Sequence, residues 1–271
     1  MMMKLLSRYI PAAFLACMSL ACSREDGLVP DSDACYDVYF AGGQSRDYEV
    51  DESGEASLTF TVKRTNIRGA ITVPVKIETG ERGIFALSTL RFADGEGTAT
   101  MSVLFDEAKV QQKYSARISI EDPLYAKTYG RGDTSVEFSV VREDYRRCAS
   151  GVFYSPMLQS SYSIWEQDLE YSETLDTYRF ASLFEDGYHV CFKWDGGLNV
   201  VLTEESYDTG MNYNDESGNS LGHITGDAVS AAYDPSVDVF SFTYDYVVEG
   251  YGGFGELTDQ YMVSRWYQNV F

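Results

Sequence analysis

From residue 35 onward, apolar residues recur at every second position in short runs separated by turn-forming residues. In "SLTFTVKR" Leu58, Phe60 and Val62 fall on one face, and in "TATMSVLF" Ala99, Met101, Val103 and Phe105 do the same. A period of two puts alternate side chains on opposite faces of a strand, so each run predicts a half-buried strand. "CYDVYF", "TLRF", "YSARISI" and "SVEFSVV" are further short strands by the same rule. "AITVPVKIET" alternates through Ile71, Val73, Val75 and Ile77. Pro74 within it cannot donate to a ladder, which predicts an edge strand or a bulge. About seven strands in roughly 110 residues predict an immunoglobulin-like antiparallel sandwich over residues 35–147.

The pattern continues from 148 to 271 with more rings. In "YHVCFKWDGGLNVVLT" Val190, Phe192 and Trp194 share one face, while His189, Cys191 and Lys193 share the other. Asp195-Gly196-Gly197 predicts a tight hairpin. "VFSFTYDYVV" alternates, "QYMVSRWYQNVF" closes the segment, and "SYDTGMNYNDESGN" reads as a polar loop. The fold class is therefore all-β: a sandwich followed by a second, aromatic-rich β-sandwich or barrel. "REDYRRCASG" marks the junction. Its Arg142, Arg146 and Arg147 either meet the acidic half or sit on a solvated linker.

The first 34 residues follow another rule. Lys4 and Arg8 are followed by an uncharged run from Tyr9 to Ala21, too short to span a bilayer. A basic start, a short apolar run and a small residue before a polar break mark a secretory signal. "SLAC" resembles the lipobox of bacterial lipoproteins, which implies cleavage after Ala21 and lipid on Cys22. Ser19 stands where Leu is usual, and "FLAC" at Cys17 is a competing match. An ordinary cleaved signal is the alternative. The resemblance implies a signal peptide over 1–21, a tether over 22–34, and a lipid-anchored protein on the outer membrane. "SREDG" is similar to the acidic export signals of Bacteroidetes-type surface lipoproteins, which adds exposure at the cell surface.

"FADGEGTATMSVLFDEAKVQQKYSARISIEDP" and "FTVKRTNIRGAITVPVKIET" resemble the late strands and early hairpin of Calx-beta-like domains, over residues 36–142. Some of those domains hold calcium through acidic loop ends. Glu107 and Asp122 fall near such positions, and the acids that usually follow the closing strand are missing here. The second half is similar in general pattern to the aromatic-rich β domains that end many Bacteroidetes-type lipoproteins.

Charge narrows the partners. Residues 149–271 hold 20 acidic and 3 basic side chains, a net −17 out of −21 for the chain. Such a surface repels phosphate backbones, so nucleic acid is excluded as a partner, while neutral glycans, cations and basic proteins remain. With Cys22 lipidated, Cys35, Cys148 and Cys191 are left, and an odd set cannot all pair. No CxxC, GxSxG, HExxH or P-loop occurs, and His189 and His223 are the only histidines. In the loop read at 206–219, Asp208, Asn212, Asn214, Asp215 and Glu216 are candidate calcium ligands, although the EF-hand spacing is not met. No other cofactor is implied.

Sugar binding needs open aromatic faces with amide or acid groups nearby. Trp165, in "SIWEQDLEY", is the first candidate, with Trp266 and the pair Tyr251 and Phe254 in "EGYGGFGE". Trp194 is in phase with core positions and reads as packing. Arg131-Gly132-Asp133 spells the integrin tripeptide, with an ordinary turn as the plainer reading. The chain reads as a non-catalytic surface lipoprotein binding glycan through its C-terminal half. The alternatives are a structural or adhesive protein that docks another surface protein, and a glycoside hydrolase with an unrecognised carboxylate pair.

Overall fold

The computed structural model describes residues 35–127, 132–158, 163–215 and 217–267. The segments read as signal, lipid site Cys22 and tether, together with Arg131 and Glu216, lie outside the described residues. Within them all regular elements are strands. Ten belong to the first half: β1 (Val38–Phe40), β2 (Asp47–Asp51), β3 (Ser57–Arg64), β4 (Ile71–Val73), β5 (Lys76–Thr79), β6 (Ala86–Leu87), β7 (Leu90–Phe92), β8 (Thr98–Leu104), β9 (Tyr114–Ser119) and β10 (Ser135–Glu143). Nine follow: β11 (Arg146–Tyr154), β12 (Ile164–Ser172), β13 (Thr177–Phe180), β14 (Val190–Trp194), β15 (Val200–Leu202), β16 (Ser206–Asn214), β17 (Ser220–Asp234), β18 (Val239–Val248) and β19 (Gly252–Trp266).

The first half is a sandwich of sheets β1-β3-β8-β6 and β2-β10-β9-β5. Leu58, Phe60 and Val62 point inward from β3 as their alternation requires, and Phe60 meets Phe138 of the facing sheet with ring centroids 5.1 Å apart. The run read as one strand around Pro74 is two. β4 pairs with β7, whereas β5 pairs with β9 at the edge of the other sheet, so the chain changes sheets where proline breaks the ladder. Arg64 is buried without a carboxylate partner. Its guanidinium donates to the carbonyls of Glu96, Ile67, Gly69 and Ala93 and lies over the Phe92 ring, tying the β3–β4 loop down.

The second half is an up-and-down meander in the order β15-β14-β13-β12-β11-β19-β18-β17-β16. The sheet curls until β15 and β16 lie one after the other along β17, through the Asn199–Ala232 bridge and the bond from Ala228 N to Glu205 O. The closed barrel leaves no free long edge. The segment read as a polar loop is strand β16. Tyr207 and Thr209 face the core and its polar residues face out, so polarity came from one face only. A bulge at Gly210 (φ +73°) breaks the register, and a Cβ there would fall 2.4 Å from the Tyr188 ring. The interior is packed with Phe153, Phe180, Phe192, Phe240, Phe242 and Tyr261. The hairpin read at Asp195 is present, with Asp195 Oδ1 accepting from Gly197 N at 2.8 Å.

Only Asp144 and Tyr145 separate β10 from β11. Arg179 of β13 is the hub of the joint. It meets Glu143 and Glu170 at 2.7 Å each and Glu49 at 3.9 Å, and lies 3.8 Å from the centroid of Tyr145. His189 Nε2 reaches Glu49 at 2.9 Å. Asp144 accepts from Gln111 of the sandwich and from Ser172 and Thr174 of the barrel. Burial pushes its carboxyl up, but the bonds from Ser172, Gln111 and Thr174 outweigh this and hold it far below the usual range. Of the junction arginines, Arg142 and Arg146 turn to Glu52 of the sandwich and Arg147 to Asp168 of the barrel. The joint thus works in the reverse sense: sandwich acids hold a barrel cation. Cys35, Cys148 and Cys191 are free thiols.

Candidate functional site

Strand direction assigns the rings to two barrel ends. The end nearest the joint, where β11 begins and β19 finishes, holds Trp194, Tyr233 and Trp266. Trp266 stacks on Trp194 with centroids 5.4 Å apart and planes at 21°, and its Nε1 faces both Asp238 oxygens at 3.2 Å. Trp194 donates to Gly197 O at 2.7 Å. These indoles plug the end of the core, as the phase of Trp194 implied.

The far end is the mouth. The β16–β17 and β18–β19 hairpins end here. Tyr251 is 62% exposed and Phe254 39% exposed. Both rings gather on half-buried Tyr213, at centroid distances of 5.7 and 5.6 Å. Gly250, Gly252, Gly253 and Gly255 surround the two exposed rings in the chain, so few neighbouring side chains cover their faces. Exposed Asn214 and Glu249 stand at the ends of the same hairpins. Trp165 lies at this end too, half-buried against Phe153 (5.1 Å) and Phe184 (5.7 Å), with Nε1 bonded to Gln167 Oε1 at 3.2 Å. The expectation of a free Trp165 platform is corrected: in β12 it is in phase with buried Leu169 and belongs to the core margin. Of four candidate aromatics, the structure therefore unites Tyr251 and Phe254, places Trp165 at their end, and puts Trp266 at the other. Sequence reading missed Tyr213, because its strand was read as a loop.

The calcium candidates are spread along β16 and its turn. Asp208 Oδ2 pairs with His223 Nδ1 at 2.8 Å and its Oδ1 accepts from Gly210 N. Asn212 Oδ1 accepts from Ser220, and Asp215 caps its own turn through Ser217 N, Asn219 N and Asn219 Nδ2. Among the described residues, no three His, Cys, Asp or Glu side chains converge as a metal set. Asp133 of the tripeptide at 131–133 accepts from Phe40 N through its main-chain carbonyl, so its backbone is part of a β-bridge.

Two grooves lie elsewhere. One of about 750 Å³ crosses the β2-β10-β9-β5 face, where Lys113 pairs with Asp47 at 2.6 Å. The other, about 490 Å³, runs along the outer wall of β11 and β12 and contains Glu166 and Asp168. Glu166 is exposed and Asp168 is paired with Arg147, so neither sits in the desolvated setting that a glycosidase acid needs.

No family model matches the chain, and no curated protein matches it. Among solved structures it is similar to a candidate carbohydrate binding protein from Bacteroides ovatus: 10% identity, 83% of this chain and 74% of that one, TM-score 0.28. A two-domain protein of unknown function from Bacteroides fragilis is 12% identical, over 85% and 89% of the chains, at TM-score 0.32. Domains 4–9 of the surface layer protein SbsC are 12% identical, over 82% and 30%, at TM-score 0.22. Likenesses this distant carry no weight for the site, which rests on its own geometry.

Proposed function

We propose that the barrel mouth is a glycan-binding site and that the sandwich is its spacer on a lipid-anchored, non-catalytic surface protein. The observation that carries this reading is the pair of exposed rings, Tyr251 and Phe254, gathered on Tyr213 among glycines. Sugar C–H faces stack on such rings, and Asn214 and Glu249 offer partners for hydroxyls. The purified protein is expected to retain at least one glycan on an array, and Tyr251→Ala with Phe254→Ala is expected to abolish retention without moving the unfolding midpoint. No retained glycan, or undiminished binding by the double variant, refutes the reading.

The anchor is tested separately. Cys22→Ala is expected to shift the protein from the membrane fraction to the soluble one; a membrane-bound variant refutes lipid attachment. A second reading, docking of a basic protein, draws on the net charge of −17 over residues 149–271. Its signature is binding that weakens steeply with salt, unlike stacking on neutral sugar.

A further inference from the structure

Below the mouth, the barrel encloses polar groups that neither the joint nor the ring pair uses. Asp259 of β19 is 0% exposed, in phase with Tyr261 and Val263. Its Oδ2 accepts from Tyr246 Oη, which also meets Tyr207 Oη at 2.7 Å. Its Oδ1 has no hydrogen-bond partner, and the buried hydroxyls of Ser155 and Tyr244 have none either. The three belong together. Ser155 lies near enough to the Asp259 carboxylate to favour its charged form, yet is not aligned as a full hydrogen bond, and Tyr244 packs on Tyr207 and Tyr246 at centroid distances of 4.8 and 5.7 Å. Buried oxygens without partners are uncommon and costly, and a carboxylate without a counter-ion more so. No cation of the described residues pairs with Asp259.

We propose that this cluster binds a small ammonium-type cation, NH4⁺ or R–NH3⁺, through Asp259, Ser155 and Tyr244. Three oxygens left without a well-aligned partner match three N–H donors, and the ligand brings the positive charge that the carboxylate lacks. A water brings two donors and no charge; a sugar hydroxyl brings one donor. The rings of Tyr207, Tyr244 and Tyr246 pack against one another around the cluster. Ammonium is close to water in size and needs no larger space than one buried water. The acidic barrel raises the local concentration of cations. The site is separate from the ring pair at the mouth and stands whether or not glycan binds there.

The test is thermal unfolding of the wild-type protein at pH 8 in ammonium or methylammonium chloride, against sodium, potassium and tetramethylammonium chloride at equal ionic strength. Ammonium and methylammonium are expected to raise the midpoint by about 3 °C, as ligands of the folded state alone do. The rise is expected to vanish at pH 5, where Asp259, pushed up to about 7 by burial, holds its own proton. It is also expected to vanish in Asp259→Asn. Equal midpoints in ammonium and sodium, or an equal rise in potassium, overturn the proposal. Ser155→Ala, which keeps the carboxylate, covers the case in which Asp259→Asn does not fold: a smaller rise supports the three-point contact, and an undiminished rise overturns it.

Discussion

The sandwich and the barrel bury opposite charges: Arg64 on backbone carbonyls in one, Asp259 among tyrosines in the other. The sandwich core is aliphatic and phenylalanine-rich, and its surface acids face cations: Lys113 with Asp47, Lys76 with Glu78 and Glu121, Arg117 with Glu137. Exposed pairs of this kind contribute little to stability. The barrel draws 20 acids against 5 bases from residues 146–271, uses Arg179 to join the halves, and buries Asp259 among tyrosines. The buried cation of the sandwich is bonded to carbonyls, whereas the buried acid of the barrel has no counter-ion among the described residues.

The contrast can be broken most severely at the joint. Replacing Arg179 with Met leaves Glu143 and Glu170 half-buried without their cation, and a loss of about 2–4 kcal/mol is expected. Chemical denaturation should then split into two transitions; one unaltered transition would show that the cage does not couple the halves. Phe60→Ala should cost about 3–4 kcal/mol in the sandwich, since Phe60 is fully buried between Tyr48 and Phe138. With the halves coupled, barrel tryptophan fluorescence should report this loss; in the Arg179→Met background it should not, because all three indoles lie beyond the joint.

Acidity separates the two regions by sign. Burial raises Asp259 to about 7, so the folded barrel binds its proton more tightly than the unfolded chain does. Its contribution is present below about pH 4 and is lost as pH rises through 7, by about 2–4 kcal/mol. Asp144 at the joint is depressed, so its contribution is present above pH 4 and lost as pH falls below. Between pH 4 and 7, barrel stability in low-ammonium buffer should therefore decline with rising pH, and Asp259→Asn should flatten that slope. A flat wild-type profile counts against a strained carboxylate. The smallest structural effect belongs to Tyr251→Ala, with less than about 0.5 kcal/mol of stability lost but roughly tenfold in glycan affinity.

Alternation was readable wherever one face is buried and the other wet. Leu58, Phe60 and Val62 define β3, and Trp194 joins Val190 and Phe192 in β14. The all-β class followed from these runs alone. β16 escaped because its outward face is polar and its inward face carries only Tyr207 and Thr209 before a bulge. The Arg179 cage escaped because its partners come from positions 49, 143 and 170, and no local pattern links them. Asp259 did leave a signal: in "ELTDQYMV" it occupies the phase of Leu257, Tyr261 and Val263, where an acid is out of place. Of the candidate site, the ring pair was visible as rings in a glycine-rich turn, while the third ring and the cluster below required the barrel's closure.

The two-residue joint has a mechanical consequence. With Asp144 bonded to both halves and Arg179 shared across them, neither half can swivel without breaking charged contacts. The pair is expected to tumble as one particle with a single rotational correlation time. Whatever the mouth holds is therefore presented at a fixed bearing to the sandwich, like a lamp on a rigid bracket.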